Sequence, residues 1–201
     1  MPKIFILFNL FTFLFIGGSH AQDSWQLKKD EADIKIYVRP NPESSFNEFK
    51  AILTIRDGSL KDALAVIVDV NNYEAWFPDC SNPKILEQIN KYHDIHYIET
   101  LTPWPAQNRY GVYEQITTLS NNDKRAEVVA EAQADYPMEG EGMVRITEAL
   151  GKWILEEDDN VLTITYRFKG SPGGSVPAWL ANAFVVDHPF EALTSLKEAM
   201  E

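Results

Sequence analysis

The residues able to do chemistry are few, and their spacing suits little of it. His93 and His96 form an H-x-x-H pair. On a helix two such imidazoles could share a metal. In the β-rich stretch where they fall, residues three apart point to opposite faces, so no chelate and no metal site is expected. Cys80, the single cysteine, excludes an intrachain disulfide and any multi-Cys zinc site. No histidine lies near it in sequence to activate it, and it reads as a buried, unpaired thiol. The serines include no G-x-S-x-G elbow. Ser171-Pro172-Gly173-Gly174-Ser175 precedes a helical segment as a phosphate-cradling loop would. It lacks the lysine and spacing of a P-loop and reads better as a turn into a proline-started helix. The acidic run Glu156-Glu157-Asp158-Asp159 has no calcium-loop spacing and reads as a solvated hairpin tip. No catalytic set emerges and no cofactor is implied.

Pro103-Trp104-Pro105 is harder to dismiss. Two prolines bracketing a tryptophan stiffen a connection and set a large apolar ring at its tip. Arg109 then opens the strand Tyr110-Gly111-Val112-Tyr113. By burial statistics an arginine at a strand end is a surface residue.

The elements that must position these residues are mostly strands. Ile34, Ile36 and Val38 alternate with polar neighbours, as do Phe49, Ala51, Leu53 and Ile55, and Leu162, Ile164, Tyr166 and Phe168. Each set predicts a strand with one buried and one wetted face. Less regular β-rich runs lie near 84–90, 94–101, 109–119, 125–134 and 143–155. Ser59-Leu60-Lys61-Asp62 resembles a capping box opening a helix through Val70. A segment from Ser175, with Pro177 in its first turn, carries Trp179, Leu180, Ala183 and Phe184. Asp187 then caps a final helix carrying Phe190, Leu193, Leu196 and Met200. A long meander with an early and a late helix is an α+β layout in one domain, residues 22–201.

The whole chain of 201 residues is 45% apolar with a net charge of −12. Disorder is excluded, and so acidic a balance argues against nucleic acid as a partner. Lys3, the apolar run Ile4–Ile16 and Ser19-His20-Ala21 have the layout of a secretory signal peptide cleaved after Ala21. Thirteen helical residues would reach about 20 Å against a hydrocarbon core of ~30 Å, so an uncleaved anchor is the weaker reading. Export to a periplasmic or extracellular location is expected.

Several motifs now fall into order: Trp25-x-Leu27, Val68-Asp69-Val70 with Tyr73 and Trp76, Pro103-Trp104-Pro105-x-x-Asn108-Arg109, Val144-Arg145-Ile146 with Trp153, and Pro172-Gly173-Gly174-Ser175-x-Pro177-x-Trp179-Leu180-x-Asn182. Together they resemble START domains, the lipid-transfer modules related to steroidogenic acute regulatory protein, over residues 24–200. The last motif is the most specific. The resemblance implies a helix-grip fold, a curved antiparallel sheet gripping a long C-terminal helix around a hydrophobic tunnel. It implies a monomer that carries a lipid, sterol or other hydrophobic ligand without chemistry and touches membranes transiently. It places Arg109 near the ligand's polar end and makes Trp104, Tyr113, Arg145, Trp179 and Asn182 further candidates for ligand binding. Family members often carry Asp after this arginine where this chain has Tyr110, which leaves Glu99 or Glu114 as substitute charge partners. A helix-grip cyclase or hydrolase remains the alternative, needing His93 or His96 beside a glutamate as acid and base. A ligand sensor acting through a partner protein is a third reading. The run Phe184-Val185-Val186 is read either as core or as a face that meets the bilayer when the last helix swings.

Overall fold

The alternating segments pair into one sheet. Its strands are β1 (Gln26–Glu31), β2 (Ile34–Arg39), β3 (Glu48–Arg56), β4 (Cys80–Asn90), β5 (His93–Thr100), β6 (Arg109–Ser120), β7 (Arg125–Ala132), β8 (Val144–Arg145), β9 (Ala149–Asp158) and β10 (Val161–Gly170). Helix α1 (Leu60–Val68) and a 3₁₀ helix (Val70–Ala75) join β3 to β4, and α2 (Ala178–Ala199) ends the fold. The computed structural model describes residues 24–201, with the backbone alone at Ala178, Leu180 and Ala183. The signal peptide expected at residues 1–21 lies outside the described residues. Strand order is β1-β2-β3-β10-β9-β7-β6-β5-β4, antiparallel throughout except that β8 runs parallel to β6. β1 and β4 are left as edges, so the curved sheet does not close. This is the α+β helix-grip architecture that the resemblance implied.

Alternation decides what faces inward. Ile34, Ile36, Ala51, Leu53, Val128, Leu155, Leu162 and Ile164 are buried on one face, where they join Ala63 and Ile67 of α1 and Leu193 and Leu196 of α2 in the main core. α2 lies against β2, β3 and α1. Fully burying one leucine contributes about 1.5–3 kcal/mol, so Leu193 and Leu196, both without exposed surface, hold the C-terminal half of α2 firmly. The Ser59 hydroxyl accepts from the Asp62 backbone N–H at 3.3 Å and caps α1, as its sequence predicts. Asp159 and Asn160, both at positive φ, turn β9 into β10.

Two differences from the sequence reading matter. The C-terminal region is one helix that runs through Asp187 and Pro189, where a separate helix capped by Asp187 was expected. Pro189 cannot donate to the Val185 carbonyl, at a cost of ~3 kcal/mol in a helix interior. The apolar side chains on both sides of it, Val185, Val186 and Phe190, pack against the same core and hold the helix together across the break. Second, a smaller cluster sits on the outer face of the sheet. Tyr97, Tyr110 and Val112 are covered there by Tyr136, Met138 and Met143 from the connection between β7 and β8.

Candidate functional site

β5 and β6 set the register of the site. Their pairing puts Asp94 beside Gln115, His96 beside Tyr113, Ile98 beside Gly111 and Thr100 beside Arg109, all on the inner face. The two histidines diverge, as their spacing requires. His93 is on the outer face with Nε2 2.7 Å from Glu114, and His96 is inside with Nδ1 2.8 Å from Asp94 Oδ1. From Asp94 a buried polar chain continues. The Gln115 amide donates to Asp94 Oδ2 at 3.3 Å, and Gln115 Oε1 lies 3.2 Å from the Tyr73 hydroxyl, which donates to the Ile67 carbonyl at 2.7 Å.

Around this chain the interior is aromatic where most cores are aliphatic. Tyr113 stacks on His96 with ring centres 5.7 Å apart, and Tyr73 meets His96 edge-on. Trp76 touches Tyr73, Phe77 and Trp153 edge-on at 5.4–6.2 Å, and Trp153 stacks on Tyr166 at 3.8 Å. His188 of α2 closes the row against Phe77 at 5.5 Å. Burial pushes the Tyr73, Tyr113 and Tyr166 hydroxyls above their ordinary range, so all three stay neutral. It also pushes the Cys80 thiol up to about 12, which removes it as a nucleophile at neutral pH. Among the described residues no group of three or more His, Cys, Asp or Glu side chains could hold a metal.

One polar atom in this interior is unsatisfied. Trp76 is 5% exposed, and its Nε1–H is buried with no hydrogen-bond partner among the described residues. Buried donors are nearly always paired, and an orphan costs about 1–3 kcal/mol. No acceptor among the described residues meets this donor.

Arg109 and Tyr113 share this face. Arg109 is 5% exposed; its guanidinium donates to the Pro172 carbonyl at 3.3 Å and to the Gln107 carbonyl. It is a buried arginine, against the surface reading. Neither substitute carboxylate reaches it. Glu99 accepts from the Tyr97 hydroxyl at 2.9 Å and the Asn82 amide at 2.7 Å, and Glu114 is taken by His93. Tyr113 folds its ring back over Gly111. A Cβ on Gly111 would lie 2.5 Å from the Tyr113 hydroxyl, so only glycine leaves room for this placement.

The other expected residues lie elsewhere. Trp104 is 92% and Trp179 75% exposed. Arg145 sits on the outer face over the Tyr110 ring, donating to the Gln133, Tyr136 and Met138 carbonyls at 2.7–3.0 Å. It fastens the connection that covers the outer cluster. Asn182 ties α2 to the β2–β3 connection, its Oδ1 accepting from the Asn47 backbone N–H at 2.7 Å and its amide donating to the Ser45 carbonyl at 3.4 Å. The Gly173-Gly174 pair is a turn, both residues at positive φ, packed on Val144. Of Phe184-Val185-Val186, Phe184 is exposed and the two valines pack on the core. Trp76, Phe77, Trp153, Tyr166 and His188 were not singled out as site residues. Their signal in the sequence is the placing of two large rings, Trp153 and Tyr166, at inward positions of strands that pair with each other.

No protein-family model matches the chain. Its likeness to individual proteins is clear. The uncharacterized Pseudomonas aeruginosa protein PA1579 is 30% identical over 187 residues, 92% of this chain and 91% of that one. Human phosphatidylcholine transfer protein is 25% identical over 166 residues, 81% of this chain and 77% of that one. Among solved structures, a fragment of a STAR-related lipid transfer protein from Xanthomonas axonopodis is 35% identical and superposes with a TM-score of 0.81, covering 89% of this chain and 99% of that one. Ordered motifs, an open ten-stranded sheet holding a C-terminal helix and identity sustained over nearly the whole described chain agree: the protein belongs to the STAR-related lipid transfer, or START, family.

Proposed function

We propose that the protein binds one lipid or similar hydrophobic molecule between the inner face of the sheet and α2, and carries it between membranes as a monomer without chemical change. The orphaned Trp76 Nε1–H carries the reading, because it supplies a buried donor for an oxygen of the ligand's polar end. The aromatic interior supports it: Tyr113, Trp153 and Tyr166 carry large apolar rings, and the two tyrosines add neutral hydroxyls. Arg109 keeps donors beyond the two carbonyls it meets and would orient a phosphate or ester. The family relationship points the same way. The enzyme alternative needs His93 or His96 beside a glutamate; among the described residues His93 meets Glu114 on the outer face, away from this interior, and His96 meets an aspartate, Asp94.

Membrane contact would fall at the end of the sheet where Arg109 lies. Trp104 on the β5–β6 connection and Trp179 and Phe184 in the first half of α2 expose aromatic surface there, and amphipathic rings favour the membrane–water interface. The reading includes export, through cleavage after Ala21. Protein purified from its native host should start at Gln22 by intact mass and should release one lipid class on solvent extraction. It should also move a labelled phospholipid between vesicles. Protein that extracts empty and fails to transfer any lipid would overturn the proposal.

A further inference from the structure

The chain carries 30 acidic and 18 basic residues, yet its outer face holds a row of cations in direct register. Lys50 of β3 pairs with Arg167 of β10, and Arg167 pairs with Lys152 of β9. Like charges directly opposite on neighbouring strands are destabilising. Nearby carboxylates relieve this only in part. Glu48 is taken by Arg39 at 2.6 Å and Glu127 by Lys152 at 2.7 Å, while Lys169 reaches the exposed Glu43 at 3.4 Å. Among the described residues no carboxylate lies within ion-pair distance of Lys50 or Arg167. What meets them is aromatic: Lys50 lies over the Tyr37 ring at 4.7 Å, and the Trp25 ring is shared by Arg39, Lys50 and Arg167 at 4.5–5.5 Å. A neutral ring draws cations in without cancelling their charge. Burial, then Arg167, then Arg39, pull the Lys50 ammonium below its ordinary range, as expected where positive charge is in excess.

Beside this row opens a cleft of about 360 Å³, lined by Arg39, Glu48, Lys152, Arg167, Phe168 and Lys169 among others. Its cations Arg39, Lys152, Arg167 and Lys169 stand on the face of the sheet opposite Trp76 and Tyr113, and Phe168, which packs on the core, closes its wall. Half-buried guanidinium and ammonium groups converging on a concave space suit a compact anion with several acceptor oxygens. A flat membrane surface would be met by protruding, fully exposed lysines. We propose that this cleft is a second binding site, for a phosphate group, with Arg167 as its main ligand and Lys152, shared with Glu127, beside it. The group would come from a soluble phosphomonoester or from a phospholipid head that enters the cleft. The site does not depend on what the interior carries.

The test uses the full mature protein and three probes: inorganic phosphate, glycerol 3-phosphate, and vesicles of phosphatidylcholine with and without phosphatidic acid. Arg167→Leu removes the central charge, and Lys61→Gln on exposed α1 is the charge-matched control. Phosphate or glycerol 3-phosphate should raise the wild-type melting temperature and bind by calorimetry, more weakly as salt rises. Arg167→Leu should lose about tenfold or more in affinity, while Lys61→Gln keeps it. Without ligand, Arg167→Leu should melt at or above the wild-type temperature, because a repulsive neighbour has gone. Binding of glycerol 3-phosphate without vesicle sedimentation identifies a soluble ligand, and sedimentation that needs both phosphatidic acid and Arg167 identifies a lipid head. The proposal is overturned if no probe distinguishes Arg167→Leu from wild type, or if the control loses as much.

Discussion

Replacing Trp76 by phenylalanine separates the two roles the structure gives this residue. The indole is 5% exposed and packs against Tyr73, Phe77 and Trp153, so it fills space; its Nε1–H is buried and unpaired, so it also carries a penalty. Exchanging the fused bicyclic indole for a single six-membered ring deletes packing of about two to three methylene equivalents, roughly 2 kcal/mol of stability at ~0.8 kcal/mol each. The same exchange removes the orphan donor and returns about 1–3 kcal/mol. The two terms nearly cancel, so the empty protein should unfold within about 1 kcal/mol of wild type in urea. Binding has no such cancellation. If a ligand oxygen accepts from Nε1, the variant loses that bond, and affinity for a phospholipid with a fluorescent tail should fall by about 5- to 150-fold, the equivalent of 1–3 kcal/mol. A purely hydrocarbon probe should bind nearly as before. A variant less stable by more than ~3 kcal/mol whose phospholipid affinity is unchanged would show that the indole is packing alone, and the proposed placement of the polar end would be wrong.

Gly111→Ala should act on Tyr113: the added Cβ lies 2.5 Å from its hydroxyl, so the ring must leave its place on His96 at a cost of about 1–3 kcal/mol, seen as lower stability and weaker lipid binding together. Arg109→Leu should weaken ligands with a phosphate or ester head by about 1.5–3 kcal/mol and spare apolar probes; equal affinities for every ligand would assign the arginine only to anchoring Pro172 and Gln107. Trp104→Ser with Trp179→Ser, both at exposed positions, should leave melting and equilibrium binding unchanged while slowing transfer between vesicles; unchanged transfer would remove this end of the sheet as the contact surface. Burial lowers the His188 pKa below its usual value and outweighs the opposing pull of Asp79. The unfolded chain therefore binds the extra proton between that lowered pKa and about 6.5, and stability should fall as pH drops below about 6.5. His188→Gln should flatten that slope in urea midpoints measured from pH 8 to 5.

The strands were the most legible part of the chain, because a face that is buried on every second residue writes its period directly into the sequence. Ile34-Lys35-Ile36-Tyr37-Val38 and Leu162 to Phe168 are such cases, and both are strands. The end of the chain was less legible. Asp187 and Pro189 carry local signals for a helix start, and they were overridden by packing of Val185, Val186 and Phe190 on one core, a tertiary term that no short window contains. The candidate site divides in the same way. The register of β5 and β6 follows from alternation once the strands are known, and it brings His96, Tyr113 and Arg109 to one face. That Arg145 points to the other face depends on β8 pairing in parallel with β6 over two residues, Val144 and Arg145, a pairing too short for any periodic signal.

The polar chain through the interior gives the last step. A pocket built only of leucine and valine would bind any hydrocarbon, and would collapse on itself when empty. Here Asp94 is held by His96 and Gln115, and Gln115 lies beside Tyr73, whose hydroxyl is fastened to the Ile67 carbonyl at the end of α1. Each of these groups is buried and each has a partner, so none is free to turn toward a ligand. Their effect is to fix the rings they touch: Tyr113 through its stack on His96, and Trp76 through its edge contact with Tyr73. Within this interior, among the described residues, Trp76 Nε1 is left without a partner, on a ring packed against Tyr73, Phe77 and Trp153. A rigid donor aimed at a fixed point discriminates between ligands by where their acceptor falls. Fixing the rings also lowers the ordering cost of binding. If this is so, Gln115→Leu, which cuts the chain between Asp94 and Tyr73 without touching Trp76, should weaken the preference for polar-headed over purely apolar ligands. It should do so by loosening Tyr73 and hence the indole, visible as faster exchange of the Trp76 Nε1 proton. An unchanged preference in a folded Gln115→Leu protein would show that the polar chain serves stability alone.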